Sequence, residues 1–354
     1  MRVDVFFEEV ANVARVMPDR QSNIQNPAGF RRALVAWFRG AARDLPWRRT
    51  RDPYAILVSE LMLQQTQVAA VIPYYERWLR RFPDFAALAA AEEPDVLALW
   101  QGLGYYSRAR NLHQAARHVV AVHGGVLPAD AEAIRALPGV GRYTAGAVAS
   151  FAFDLAEPLV DANVARVLAR VLNLQEGIDT TAGQRALWAA AEELVPKRGA
   201  GEFNAALMEL GAILCTGRGP QCLLCPVRGE CDAEKAGTAL ELPRKKARKK
   251  RVELSEACAW VYAKGRVLLE LQTGARWRGL WKLPLLASAP EAEPVLTAEY
   301  PFTHHRVTLS VFVQPAPRAA GENQAWHTVA ELEGVALTSP HRRAVEKLLQ
   351  AEEK

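Results

Sequence analysis

Four cysteines, Cys215, Cys222, Cys225 and Cys231, fall within seventeen residues at the spacing C-x6-C-x2-C-x5-C, in a chain of 354 residues with one further cysteine, Cys258. Thiols so crowded enclose one metal centre far more readily than they form two unstrained disulfides. A zinc ribbon usually pairs two short C-x2-C knuckles across a longer spacer, whereas here one irregular loop supplies all four ligands. Thiolate-only ligation in such a loop suits a [4Fe–4S] cluster, with a closed zinc site as the alternative. Asp4, Glu8 and Glu9 interrupt the N-terminus where a secretory signal needs an apolar core. That predicts an intracellular, cytoplasmic protein with reduced thiols.

Half of the residues are hydrophobic, so a chain of this length can bury a sizeable core in two or three compact units. The uncharged run Tyr143–Phe153, bounded by Arg142 and Asp154, is far shorter than the roughly 18 residues a membrane span needs. No membrane association is expected. The formal charge of +5 is unevenly placed, because Arg244, Lys245, Lys246, Arg248, Lys249, Lys250 and Arg251 supply seven positive charges; removing them leaves −2 for the rest. This run looks like a linker, either a solvated connector or a contact for a polyanion such as a nucleic-acid backbone.

Upstream of the linker, apolar residues recur at three- and four-residue spacing over Ala28–Ala42, Tyr54–Leu79, Ser107–Val122, Tyr143–Phe153 and Asn163–Leu174, punctuated by Pro, Gly and Asp. That periodicity predicts a domain of many short helices. Downstream, Ala257–Tyr262, Arg266–Leu271 and Thr308–Gln314 are strand-like, Lys264-Gly265 marks a turn, and Pro340–Gln350 is a closing helix. The fold class is therefore mainly α, with a smaller α/β domain after the linker. The boundaries expected are an N-terminal extension (1–27), a helical region (28–232), a basic linker (233–252) and the C-terminal domain (253–354).

Within the helical region, Leu137-Pro-Gly-Val-Gly-Arg-Tyr-Thr-Ala-Gly-Ala147 places Gly139 and Gly141 between two helices. Glycine lets backbone approach an oxygen closely, and the second helix starts with free amides, an arrangement suited to gripping a phosphate. Taken alone, such a turn is commonly only a turn; some seventy residues before a cysteine loop it is more specific. Glu60 lies between Ala55-Ile-Leu-Val58 and Leu61-Met-Leu63. A carboxyl desolvated there would hold its proton near neutrality, as a general acid must, although most glutamates on amphipathic helices face water. Gln64 and Gln67 are expected to extend a polar stripe along the same helix face. Asp161 directly precedes a helix, where it can be an N-cap held ionised by the amides and the dipole. An acid beside an anion is the pair that glycosidic cleavage uses.

In this order, a helix-hairpin-helix, an aspartate and the cysteine loop resemble the endonuclease III superfamily of DNA glycosylases, most closely its MutY-type adenine-specific members. The resemblance runs densely from Arg43 to Cys231, through Leu45-Pro-Trp-Arg48, Asp52-Pro-Tyr54, Ser59-Glu-Leu-Met-Leu-Gln-Gln-Thr66, Gly102-Leu-Gly-Tyr-Tyr-Ser-Arg108 and Val160-Asp-Ala-Asn-Val164. It implies a [4Fe–4S] cofactor, with Glu60 protonating adenine, Asp161 stabilising the developing sugar cation and Asn163 polar beside the sugar. Tyr143 stands where lyase members carry the Schiff-base lysine, and a phenol cannot serve as that amine nucleophile. A monofunctional glycosylase is implied. Gln65 and Tyr105 would fill the gap left by the extruded base, and Thr66 would touch the opposite base. Arg43, Trp47, Leu63 and Val68 would line the adenine pocket. Two positions depart from the family: Ala205 replaces a usual Glu or Gln, and Ala162 replaces the glycine between the catalytic Asp and Asn.

The C-terminal domain resembles the MutT-like (Nudix-fold) domain of this family, with Gly279-Leu-Trp-Lys-Leu-Pro284 its most recognisable run. It lacks the R-E-x-x-E-E core that pyrophosphate hydrolysis needs, so it should recognise without cleaving. Phe302, Thr303 and His304 stand where the family reads 8-oxoguanine with Phe-Ser-His. Together these imply base-excision repair of A:8-oxoguanine and A:G mispairs in double-stranded DNA by a monomer. The alternatives are an endonuclease III-like enzyme for oxidised pyrimidines, which Tyr143 opposes, and a non-catalytic iron–sulfur sensor, which Glu60 and Asp161 oppose.

Overall fold

The computed structural model describes residues 24–246, 251–274, 276–302 and 304–352. Most of the expected N-terminal extension, Thr303, and Arg248, Lys249 and Lys250 of the basic run lie outside them. Two compact units divide the chain, and neither is continuous in sequence. The first joins the N-terminal stretch as far as Arg43 to Asp154–Lys246; the second joins Asp44–Phe153 to the C-terminal region.

Along the chain, α1 (Pro27–Ala41) belongs to the first unit. The second unit then contains α2 (Pro53–Leu63), α3 (Val68–Arg81), α4 (Phe85–Ala89), α5 (Glu93–Trp100), α6 (Ser107–His123), α7 (Ala131–Arg135) and α8 (Arg142–Phe153). The chain returns to the first unit for α9 (Ala162–Val171), α10 (Thr181–Leu194), α11 (Ala200–Ile213) and α12 (Asp232–Lys235). Short polar side chains start these helices by accepting orphan amide protons. Asn26 accepts from Gly29, Asp52 from Tyr54, Asp84 from Ala87, Asp130 from Ala133 and Thr180 from Gly183. Pro27 and Pro53 follow their caps at the first helical position, where a missing N–H costs nothing.

The helix expected over Tyr54–Leu79 is two helices. The first ends at Leu63 and the second begins at Val68, with Gln65 between them in the left-handed region at φ +57°. Gln64 and Gln67 are the residues that cap this break. They therefore do not extend Glu60's face, and the polar stripe expected there is corrected. The apolar period carries across the break, so periodicity alone could not show it.

In the C-terminal region β1 (Val252–Trp260) runs parallel to β6 (His305–Val313), which pairs antiparallel with β5 (Leu296–Phe302). A second sheet centres on β3 (Arg266–Leu271), which pairs with β2 (Tyr262–Ala263), β4 (Trp281–Lys282) and β7 (Gln324–Thr328). The closing helix α13 spans Ser339–Glu352. Ala344, Val345 and Leu348 of α13 join Trp260, Val267, Leu283, Val307 and Val311 in one core. The expected linker is folded over much of its length. Ala233 and Leu242 are buried, Arg244 O accepts from Ile178 N at 2.9 Å, and Lys246 N donates to Asp179.

The hairpin between α7 and α8 is tight because Val140 N donates back to Leu137 O and Gly139 takes φ +75°. A Cβ on Gly139 would lie 2.4 Å from the Asn111 side chain, whereas one on Gly141 meets open space. Gly139→Ala is expected to cost about 1–3 kcal/mol, the usual range for a forced left-handed backbone. Gly141→Ala should cost clearly less. Urea midpoints of the two variants check this, and equal midpoints would remove the steric argument.

Candidate active site and metal centre

In the second unit Glu60 is 3% exposed, on a helix whose residues Tyr54 to Met62 are all buried. A carboxyl in such surroundings needs a partner. The Tyr143 hydroxyl donates to Glu60 Oε2 at 2.5 Å, from the first turn of α8 directly after the hairpin. Gln64 Nε2 reaches Thr144 Oγ1 at 3.4 Å, a second link between the end of α2 and the start of α8. Gly139 and Gly141 are both exposed, leaving the hairpin backbone accessible to a ligand.

The break after α2 is held by Arg108, a buried residue that appeared in the sequence only as the last letter of a motif. Its Nη1 donates to the carbonyls of Leu61, Met62 and Gln64 at 2.7, 2.9 and 2.6 Å. Its Nη2 donates to Leu103 O and Gly104 O, both at 3.1 Å, and to Thr66 Oγ1 at 3.3 Å. Burial pulls the guanidinium down to about 10, which still leaves it charged at neutral pH. The cation also lies 5.5 Å from the ring centre of Tyr105, which is 52% exposed at φ +47°. Gln65, the other proposed wedge residue, is exposed and left-handed as well. One guanidinium thus shapes both segments. Leu63 and Val68 flank the break, half-buried, and Trp47 is buried edge-on against Tyr75 at 5.5 Å.

In the first unit Asp161 caps α9 as expected, with Oδ1 accepting from Val164 N at 2.6 Å and Oδ2 from Asn163 Nδ2 at 3.0 Å. The expected depression of its pKa is corrected. Burial is the largest influence and pushes the carboxyl above its ordinary value, against the hydrogen bonds from Val164 and Asn163 and the charge of Arg166. Asn163 Oδ1 in turn accepts from Arg166 Nη2 at 2.8 Å, and Arg166 also donates to Cys215 O at 2.8 Å and Gly211 O at 2.7 Å. A Cβ on Gly211 would come within 2.7 Å of Asn163 Cβ, so glycine is what lets α11 approach α9 here. Ala162, exposed, opens α9 without disturbing the cap.

Arg43 makes a two-pronged contact with Glu209, through Nε at 2.8 Å and Nη2 at 2.7 Å, and its backbone N donates to the same carboxylate at 3.0 Å. Glu209 is fully buried on α11, one turn beyond the half-buried Ala205. A buried Glu four residues from the position where the family's acidic or amide side chain is missing is a signal that the α11 periodicity contained.

Cys215, Cys222, Cys225 and Cys231 line one cavity of about 330 Å³, its open mouth included, together with Arg170 and Arg228 among others. Arg170 is 1% exposed; its Nη1 donates to Cys215 Sγ at 3.2 Å and to Thr216 O at 2.7 Å. The thiols are unbridged, and burial pushes Cys225 up to about 12 and Cys231 upward too. Among the described residues no group of three or more His, Cys, Asp or Glu is arranged to hold a single metal ion. Four thiols around a shared space, with a guanidinium donating to one sulfur, fit a cluster that fills that space. Cys258 belongs to the second unit, buried in β1. Among the described residues no helix is long and apolar enough to cross a membrane.

Residues 58–193 match the family described as HhH-GPD superfamily base excision DNA repair protein. A thermostable thymine-DNA glycosylase is 32% identical, with a TM-score of 0.56 over 60% of this chain and 98% of that one. Endonuclease III, solved in a non-covalent complex with DNA, shares the fold at 23% identity and a TM-score of 0.51, over 60% of this chain and 97% of that one. An adenine DNA glycosylase of Mycolicibacterium smegmatis is 44% identical over 205 residues, which are 58% of this chain and 69% of that protein. The chain belongs to the adenine DNA glycosylase family. The Rattus norvegicus relative is 49% identical over 60% of this chain, and the Homo sapiens relative 48% over 60%. The matched part spans only 43% and 40% of those two mammalian proteins.

The raised pKa of Asp161 has a consequence for stability. A carboxyl that binds its proton more tightly when folded destabilises the fold as pH rises through its folded pKa, so the ionised form is a cost at neutral pH. Asp161→Asn, which keeps the capping oxygen, should therefore be at least as stable as the parent at neutral pH, with the margin shrinking toward acid. Denaturant midpoints at the two conditions check this. A variant clearly less stable at neutral pH would reverse the sign.

Proposed function

We propose that the protein excises adenine from double-stranded DNA where it faces 8-oxoguanine or guanine, hydrolysing the N-glycosidic bond and leaving an abasic site. The observation that carries this is the Tyr143 phenol donating to the buried Glu60. At that place a lysine would make a lyase, and a phenol leaves the carboxyl as the working group. Glu60 is the proposed general acid toward adenine, oriented by the Tyr143 hydroxyl. Asp161 is the proposed anion beside the sugar cation, oriented by Asn163, with water as the final nucleophile. Enzymatic cleavage then needs Asp161 ionised against its raised pKa.

Arg43, Trp47, Leu63 and Val68 are the proposed adenine pocket, with Glu209 fixing Arg43. Gln65 and Tyr105 are proposed to fill the duplex as the base leaves and Thr66 to touch the opposite base; the exposure of Gln65 and Tyr105, and the hold of Arg108 on Gln64, Thr66 and Gly104 beside them, support that role. Gly139 and Gly141 are proposed to hold a backbone phosphate. Within the linear organisation, 28–232 is the proposed catalytic region and 253–354 the MutT-like domain that reads the lesion through Phe302, Thr303 and His304. Cys215, Cys222, Cys225 and Cys231 would hold a [4Fe–4S] cluster, which when bound supplies a rigid covalent anchor for the loop. The protein is expected to work as a monomer.

Single-turnover excision on an A:8-oxoguanine duplex tests the chemistry. Glu60→Gln should keep binding while losing excision by about 100-fold or more, the usual scale of general acid catalysis. The unmodified protein should give no borohydride-trapped adduct. Near-normal excision by Glu60→Gln, or trapping by the parent, would sink the acid or the monofunctional assignment respectively.

The metal is checked separately. The purified protein should be brown and contain about four iron atoms per chain, as a cubane requires. Cys222→Ser should lose colour and iron, and Cys258→Ser should keep both. Stoichiometric zinc in a colourless, active protein would favour the alternative site.

A further inference from the structure

Beyond the residues assigned above, the C-terminal region contains a charged group built into an aromatic stack. Arg276 Nη1 donates to Glu256 Oε1 at 2.5 Å and Nη2 to the Tyr300 hydroxyl at 2.7 Å, while that hydroxyl donates to Glu256 Oε2 at 2.7 Å. The three side chains close a ring. Glu256 comes from β1 and Tyr300 from β5, the two strands that flank β6. The guanidinium is thereby fixed in orientation as well as in place.

What it is fixed against is the base of a hairpin. The guanidinium carbon lies 4.1 Å from the ring centre of Phe302 and 4.0 Å from that of Trp277. Trp277 also meets Phe302 edge-on at 5.8 Å, and it holds a left-handed backbone at φ +60° that a bulky residue adopts only when its surroundings enforce it. Phe302 closes β5 and is paired with His305 at the start of β6, so its ring sits where β5 gives way to β6. A cation stacked on an aromatic face attracts it through the ring quadrupole, and more strongly where water is partly excluded. Arg276 itself is only about one-third exposed, at 30% of its side chain.

We propose that Arg276 is a positioning residue for lesion recognition: anchored by Glu256 and Tyr300, its guanidinium is the platform that sets the Phe302 ring. This rests on the assignment of lesion reading to the Phe302–His304 turn. Arg276 touches no base in this role. It determines specificity by limiting where the Phe302 ring can sit.

The test is the ratio of single-turnover excision rates on A:8-oxoguanine and A:G duplexes, measured on the full chain. Arg276→Met, which keeps the apolar stem and removes the fork and charge, should lower the ratio by about 3- to 30-fold, the range a stacked cation contributes. Its rate on A:G should be unchanged, which a general loss of folding would not allow. Phe302→Ala should lower the ratio as well, and combining the two should add little, as coupled neighbours do. Glu256→Gln, which loosens the anchor while leaving Arg276 in place, should give a smaller loss and carries the test if Arg276→Met proves unstable. An unchanged ratio in Arg276→Met with a lowered one in Phe302→Ala would overturn the role of Arg276 alone. An unchanged ratio in Phe302→Ala would remove lesion reading from this turn, and the proposal with it.

Discussion

Arg108 is the charge around which the second unit is organised. Removing a guanidinium from water costs several kcal/mol unless oxygen atoms replace its hydration shell. Here six oxygens from three places in the unit do so: the last turn of α2, the break that follows it, and the loop before α6. Five of them are carbonyls at a helix end or in a loop, where backbone acceptors lack intrahelical partners. The cation and the irregular backbone therefore stabilise one another, and neither would persist alone. Two exposed side chains in left-handed conformations, Gln65 and Tyr105, are the result at the surface.

The first unit solves a similar problem with a chain of polar contacts. Asp161 is held by Asn163, Asn163 by Arg166, and Arg166 reaches the backbone of Cys215. The cysteine loop and the capped carboxylate are thus parts of one network. Gly211 makes this possible by letting two helices approach within the space a methyl group would fill. Arg170, buried beside Cys215 Sγ, brings positive charge to that sulfur, and Arg43 pairs with the buried carboxylate of Glu209.

Much of the local structure was legible because it is decided locally. An Asn or Asp followed by Pro marks the starts of α1 and α2, since the side chain satisfies an amide within three residues. The Pro-Gly-Val-Gly hairpin and the cysteine spacing were likewise readable. The break at Gln64–Gln67 was not, because its cause is a guanidinium more than forty residues away in sequence. Strands β4, β5 and β7 also escaped. Trp281–Lys282 is too short to show a period, Leu296–Phe302 contains a proline, and Gln324–Thr328 is half-buried on both faces and so has no alternation.

The sequence by itself determined which chemical groups this protein possesses: four thiols in one loop, two carboxyls in helical settings, and a phenol in place of an amine. Those follow from residue identity and short spacing, which folding cannot alter. Only the tertiary structure decided the state of those groups. Asp161 has the amides that should lower its pKa, yet burial raises it, because desolvation depends on everything packed around the carboxyl and not on the helix it caps. Glu60 gained its phenolic partner, and Phe302 its cationic platform, across sequence separations of 83 and 26 residues. Solvent exclusion and side-chain orientation arise from long-range packing, and no local pattern encodes them.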